Sequence, residues 1–225
     1  MAKNLDPEGF ARELKKKDFR VTIFGSARVD KKDPAYQYTY ELAKHLGERG
    51  FDVVTGGGPG IMEAASLGHK EGRRFSPRKE AHVIGIGINL PREQKMNKGV
   101  DVSYELHRFS RRLDEFMLLS NVFVVAPGGI GTLLELFYTW QLMQVRHICH
   151  IPIILVGDMW KRLIRWLKRD PLRKELFDKK DLDLLIPVDN LEDVLKVIDE
   201  AYASYQLGEE KCVNAKWYKK RIKRI

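Results

Sequence analysis

Two cysteines in 225 residues, Cys149 and Cys212, give neither a disulfide framework nor a metal-ligand spacing. Such usage fits a reducing cytoplasm. No apolar run approaches the roughly 18 residues of a membrane span, and the opening MAKNLDPEGFARELKKK has no apolar signal-peptide core. Export and membrane insertion are therefore not expected. No G-x-x-x-x-G-K-[ST] occurs, which argues against a P-loop nucleoside triphosphatase. Gly56-x-Gly58-x-Gly60 and Gly129-x-Gly131 both miss the dinucleotide spacing G-x-G-x-x-G, which argues against a nicotinamide dehydrogenase. Internal repeats, low-complexity linkers and a clear mid-chain boundary are absent as well. One α/β domain over residues 1–210 fits best, two small domains being the other partition.

The net charge of +9 is concentrated at one end. Residues 211–225 carry Lys211, Lys216, Lys219, Lys220, Arg221, Lys223 and Arg224 with no acid, so this tail accounts for +7 and the other 210 residues for +2. Interleaved with Trp217 and Tyr218, it could meet RNA, an acidic partner or an anionic surface; a solvated terminus is the plainer reading. No recognised nucleic-acid module accompanies the charge, so nucleic acid is not the expected partner.

What is present is an alternation of short apolar runs with helix-length amphipathic segments, the pattern of a parallel sheet covered on both faces. Strands are expected near residues 20–25, 52–55, 82–88, 101–105, 121–126, 151–156 and 184–188. Helices are expected over residues 34–49, 60–71, 109–119, 131–145, 158–168 and 190–206. Asp33 before Pro34 suits a helix start, and Gly50 suits its end.

Three of the strands run into loops of small residues: Gly25-Ser26-Ala27-Arg28, Thr55-Gly56-Gly57-Gly58-Pro59-Gly60 and Pro127-Gly128-Gly129-Ile130-Gly131-Thr132. In a sheet of this type ligands sit outside the carboxyl ends of the strands, so three such loops on one edge point to a phosphate-bearing ligand. Gly128, Gly129 and Gly131 let the backbone approach it without Cβ obstruction. The last loop also has a reading that needs no ligand. Thr132-x-x-Glu135 fits a capping box, with Thr132 as the cap and Glu135 reaching back to its N–H.

The segment Pro127 to Glu135 resembles the PGGxGTxxE signature of the "lonely guy" family, the cytokinin riboside 5′-monophosphate phosphoribohydrolases. TGGGPGIMEAA from Thr55 to Ala65 is similar to the second family signature, FGSAR from Phe24 to Arg28 to the opening loop, and LPREQ from Leu90 to Gln94 to a further segment. The resemblance covers roughly residues 20–160 in the family's order. It implies a Rossmann-like doubly wound sheet; the helical extensions expected at both ends lie outside it, and no cofactor is expected. The implied reaction is hydrolysis of the N-glycosidic bond of a nucleoside 5′-monophosphate, AMP or a cytokinin riboside monophosphate. Members are often labelled lysine decarboxylases; that chemistry needs a pyridoxal-phosphate lysine, and none of the three Gly-rich loops contains one.

Within that resemblance, Glu135 is the carboxylate expected to stabilise an oxocarbenium-like ribose and to orient water. Backbone N–H groups of Gly129, Gly131 and Thr132, with the Thr132 hydroxyl, are expected to hold the phosphate. Gly128 shapes that turn, Gly25 and Ser26 belong to the opening loop, and Gly57 and Gly58 are expected on the opposite wall. The family's Arg-Lys pair before the PGG strand falls on Arg112 and on Leu113, so the arginine is kept and the lysine is replaced. Arg112 is the expected catalytic cation, although Arg111 and Arg112 also stand at i+4 and i+3 spacing to Glu115. Glu63 could approach ribose or stabilise a helix N-terminus.

His107, His147 and His150 form no metal pattern, and no metal is implied. Met117, Met143 and Trp140 have the spacing of core or subunit-contact residues. A homodimer is expected from the family, through apolar helices around residues 109–145. A second functional reading is a non-catalytic nucleotide- or molybdenum-cofactor-binding protein, similar to the molybdenum-cofactor carriers that share this architecture, and a third is an interaction protein using its basic tail.

Overall fold

The computed structural model describes residues 2–78, 80–88, 95–148 and 150–208. The Leu90–Gln94 segment, both cysteines and the basic tail lie outside these residues.

The buried runs form the strands. β2 (Arg20–Phe24), β3 (Asp52–Thr55), β6 (Val122–Val125) and β7 (Ile153–Val156) are buried throughout, as central strands covered on both faces must be. With β1 (Lys3–Asn4), β4 (Val83–Ile88), β5 (Val102–Leu106) and β8 (Leu185–Val188) they build one sheet, in the order β1-β5-β4-β3-β2-β6-β7-β8. Every pairing is parallel. The chain winds outward from β2 to β5, returns, and continues from β6 to β8, so strand order reverses between β2 and β6.

The helices cover the sheet in two layers. On one face lie α1 (Pro7–Lys15), α4 (Phe109–Leu119), α5 (Ile130–Gln144) and α6 (Asp158–Leu167), through Phe10, Phe116, Leu136 and Trp160. On the other lie α2 (Pro34–Glu48), α3 (Ile61–Gly72) and α7 (Leu191–Gln206), through Leu46, Ile61, Ala65 and Ile198. α2 begins as its sequence demands: Asp33 accepts a 2.8 Å bond from the Ala35 N–H, Pro34 holds the first turn, and Gly50 ends the element at φ +73°. α2 and α3 meet backbone to backbone. A Cβ on Gly68 would collide with the Tyr40 carbonyl oxygen, and one on Gly72 with that of Lys44.

The expected strands and helices are all present, within a residue or two. The N-terminal extension carries more than a helix, because Lys3 and Asn4 add an edge strand beside Val102 and Ser103. The capping box is corrected. α5 starts at Ile130 with Gly129 as its cap residue and no side-chain cap bond, so Thr132 lies within the first turn and Glu135 in the second.

At the amino ends of the strands a buried ionic group joins three elements and the segment ahead of β4. Arg20 of β2 reaches Glu13 of α1 at 3.2 Å and Asp52 of β3 at 3.6 Å, while His82, ahead of β4, lies 3.2 Å from Glu13 and 3.7 Å from Asp52. Among the described residues, Glu13, Asp52 and His82 are the one His and carboxylate set close enough to share a cation. The Arg20 guanidinium already supplies that charge. Burial pushes the Glu13 carboxyl up, but bonds from His82 and Lys16 outweigh this and bring it down to about 2. Burial opposes the charge of His82, and the bond and charges of Glu13 and Asp52 raise it on balance.

Candidate active site

The reversal between β2 and β6 opens a cavity of about 440 Å³ at the carboxyl edge of the sheet. Gly25, Ser26, Ala27 and Arg28 form one side, Gly129, Ile130, Gly131 and Thr132 the start of α5, and Gly56 and Met62 another wall; Arg112 and Glu135 complete the lining. The loops are stitched together by the backbone of Ser26. Its N–H donates to the Pro127 carbonyl at 3.1 Å, and its own carbonyl accepts from Ile61 N–H at 3.0 Å.

α5 aims its first turn at this space. Its first helical bond runs from Leu133 N–H to the Gly129 carbonyl, at 2.9 Å, so the N–H groups of Ile130, Gly131 and Thr132 lie ahead of the ladder. Such groups, with the positive end of the helix dipole, suit an anion.

Glu135 and Arg112 meet at the base of the cavity. Arg112 Nη1 lies 3.4 Å from Glu135 Oε1, Arg112 Nε donates to the Ile86 carbonyl at 2.8 Å, and the guanidinium lies over the Phe116 ring, 5.1 Å from its centroid. Gly56 makes room for it, since a Cβ there would strike Nη2. Burial drives the Glu135 carboxyl up to about 7, with the charge of Arg112 pulling the other way. Burial likewise lowers the arginine, and Glu135 opposes this.

Of the residues singled out in the sequence, Gly25, Ser26, Gly129, Gly131, Thr132, Arg112 and Glu135 come together here. Four do not line the cavity. The carbonyls of Gly57 and Gly58 accept from the Asn97 side chain at 3.1 and 2.8 Å, and both glycines are buried in the turn. Gly56 holds the wall expected of them. Gly128 lies beneath the Thr132 side chain, and Glu63 faces Lys31 at 3.4 Å on the outside of α3. Arg111 takes the structural role, at 3.5 Å from Glu115, and Arg112 turns away from that partner toward Glu135. Leu113 is buried in the core. Arg28, Gly56 and Met62 were missed as lining, although Arg28 could have been read as a cation closing a small-residue loop.

Fold and cavity together place the chain among Rossmann-like α/β proteins. Residues 53–198 match the family described as "possible lysine decarboxylase", and the chain belongs to that family, the lonely guy family of the sequence resemblance. No lysine lines the cavity among the described residues. The chain is 26% identical to the pyrimidine/purine nucleotide 5′-monophosphate nucleosidase of Escherichia coli K12 over 61% of its own length, and spans about 30% of that relative. It is 26% identical to the cytokinin riboside 5′-monophosphate phosphoribohydrolase LOG of Oryza sativa subsp. japonica, over 84% of this chain and 76% of the relative. The molybdenum cofactor carrier protein of Chlamydomonas reinhardtii has the same fold, with a TM-score of 0.61, 19% identity and coverage of 83% of this chain and 99% of that one. Among the described residues no helix is long and apolar enough to cross a membrane.

Proposed function

We propose that the protein hydrolyses the N-glycosidic bond of a nucleoside 5′-monophosphate, AMP or a cytokinin riboside monophosphate, releasing free base and ribose 5-phosphate. The observation that carries this reading is the buried Glu135–Arg112 pair set one helical turn from a phosphate-suited helix start. The phosphate sits at the N–H groups of Ile130, Gly131 and Thr132, which places the ribose over Glu135. As the bond from C1′ to the base nitrogen breaks, its electron pair leaves with the base. The Glu135 carboxylate faces the positive charge left on the sugar. Water adds through oxygen to C1′, its proton passes to Glu135, and the departing base gains one proton from solvent. Arg112 keeps part of the buried Glu135 population ionised at neutral pH.

The carrier reading shares the fold but gives no task to a buried carboxylate whose pKa lies near neutrality. One experiment separates the two: incubation with AMP, chromatography of free base, and the same assay on Glu135→Gln. The expected result is base release by the wild type, about 10²- to 10⁴-fold slower in the variant, with AMP binding retained. Binding of AMP with no base release by the wild type would overturn the hydrolase reading.

A homodimer belongs to the same proposal. α5 is apolar on its outer side as well, with Ile130, Leu134 and Phe137 exposed at helical spacing, and Phe109 at the start of α4 is exposed too. A second copy covering this stripe would bury it beside the cavity mouth.

A further inference from the structure

We propose that Arg28 is the phosphate-recognising cation of this site and selects a 5′-phosphorylated substrate over the corresponding nucleoside. This rests on the nucleotide reading above. The residues lining the cavity include two arginines and one acid, Arg28, Arg112 and Glu135. The charge of Arg112 is already committed to Glu135 at 3.4 Å and to the Ile86 carbonyl at 2.8 Å. Whenever Glu135 is ionised, a phosphate dianion entering the cavity therefore meets a pair whose charges cancel, and the helix start alone balances only about half a charge. Leu113, on the next position of α4, is buried and uncharged.

Arg28 fills that deficit from the opposite wall. It is exposed, and among the described residues its side chain has no carboxylate partner, whereas Lys31 in the same loop is taken by Glu63 at 3.4 Å. The loop is held in place: Arg28 N–H donates to Ser26 Oγ at 3.0 Å, and the Ser26 backbone is bonded to the start of α3 and to the loop after β6. A guanidinium on a flexible stem, anchored at the rim, can form two parallel bonds to phosphate oxygens across from the first turn of α5.

The test is titration calorimetry with AMP and with adenosine on the wild type, Arg28→Ala and Arg28→Lys, each with Glu135 intact and at a temperature where base release is slow against the titration, beside base release from AMP by the wild type. Removing Arg28 is expected to weaken AMP about ten- to a hundredfold, leave adenosine unchanged and leave the melting temperature unchanged, with partial rescue by lysine. An AMP to adenosine preference that survives Arg28→Ala overturns the assignment while leaving the hydrolase intact. Arg28-dependent AMP binding in a wild type that releases no base upholds the assignment and removes the hydrolase. Failure of AMP to bind at all overturns both.

Discussion

Glu135 Oε1 stands 3.4 Å from Arg112 Nη1, and both side chains are largely withdrawn from water. A carboxylate and a guanidinium in such a setting govern one another's ionisation. Their pairing ties the reaction proposed here to pH.

If Glu135 must be ionised to accept a proton from water, base release rises with pH and levels off above its pKa of about 7. Arg112 lowers that value against the effect of burial, so Arg112→Leu should move the acid limb to higher pH as well as slow the reaction. The measurement is kcat for AMP against pH in both proteins. A limb that stays in place in the variant would detach Glu135 from the rate.

Leu134→Arg places a charge in the middle of the exposed apolar stripe of α5 without touching the core. Sedimentation of the wild type is expected to show a dimer and that of the variant a monomer. A monomeric wild type would remove the dimer from the proposal.

Gly72→Leu forces a side chain against the Lys44 carbonyl, where even a Cβ collides. Overpacking of this kind costs about 1–3 kcal/mol or more, and thermal melting should register a drop of several degrees, roughly 2–4 °C per kcal/mol for a chain of this size. An exposed glycine such as Gly131, where a Cβ meets nothing within 4 Å, is the stability control.

The ionic group at the amino edge predicts a bounded pH optimum of stability. Glu13 is lowered from 4.5 to about 2, so its contribution is complete above 4.5 and is lost as pH falls toward 2. His82 is raised above 6.5, so its contribution is complete below 6.5 and is lost as pH climbs through the folded value. Asp52 is raised by burial, which also favours the lower side of neutrality. Denaturant midpoints should therefore peak between about 4.5 and 6.5, and His82→Ala should flatten the alkaline decline.

The sheet was legible because its central strands β2, β3, β6 and β7 are short apolar runs closed by glycine or proline, and the cavity because three of those closures fall on one edge. Distance along the chain hid the rest. Glu13, Arg20, Asp52 and His82 are polar residues at or near element ends, far apart along the chain, and only the register of β2, β3 and β4 brings them together. Lys3 and Asn4 are too few for any periodicity. The capping pattern of Thr132 and Glu135 misled because Gly129 had already started the helix one turn earlier, leaving Glu135 free to turn toward Arg112. Gly57 and Gly58 looked like ligand-facing glycines, but their carbonyls bind Asn97, forty residues away for Gly57.

All strands run the same way, so one rim of the sheet bears the ionic anchor and the opposite rim the loops around the cavity. Mutational drift can therefore act on the two rims separately. Substitutions around Arg28, Met62 or Ile130 can retune which molecule is accepted while the scaffold keeps its footing, a division that lets one architecture serve descendants with different chemical tastes.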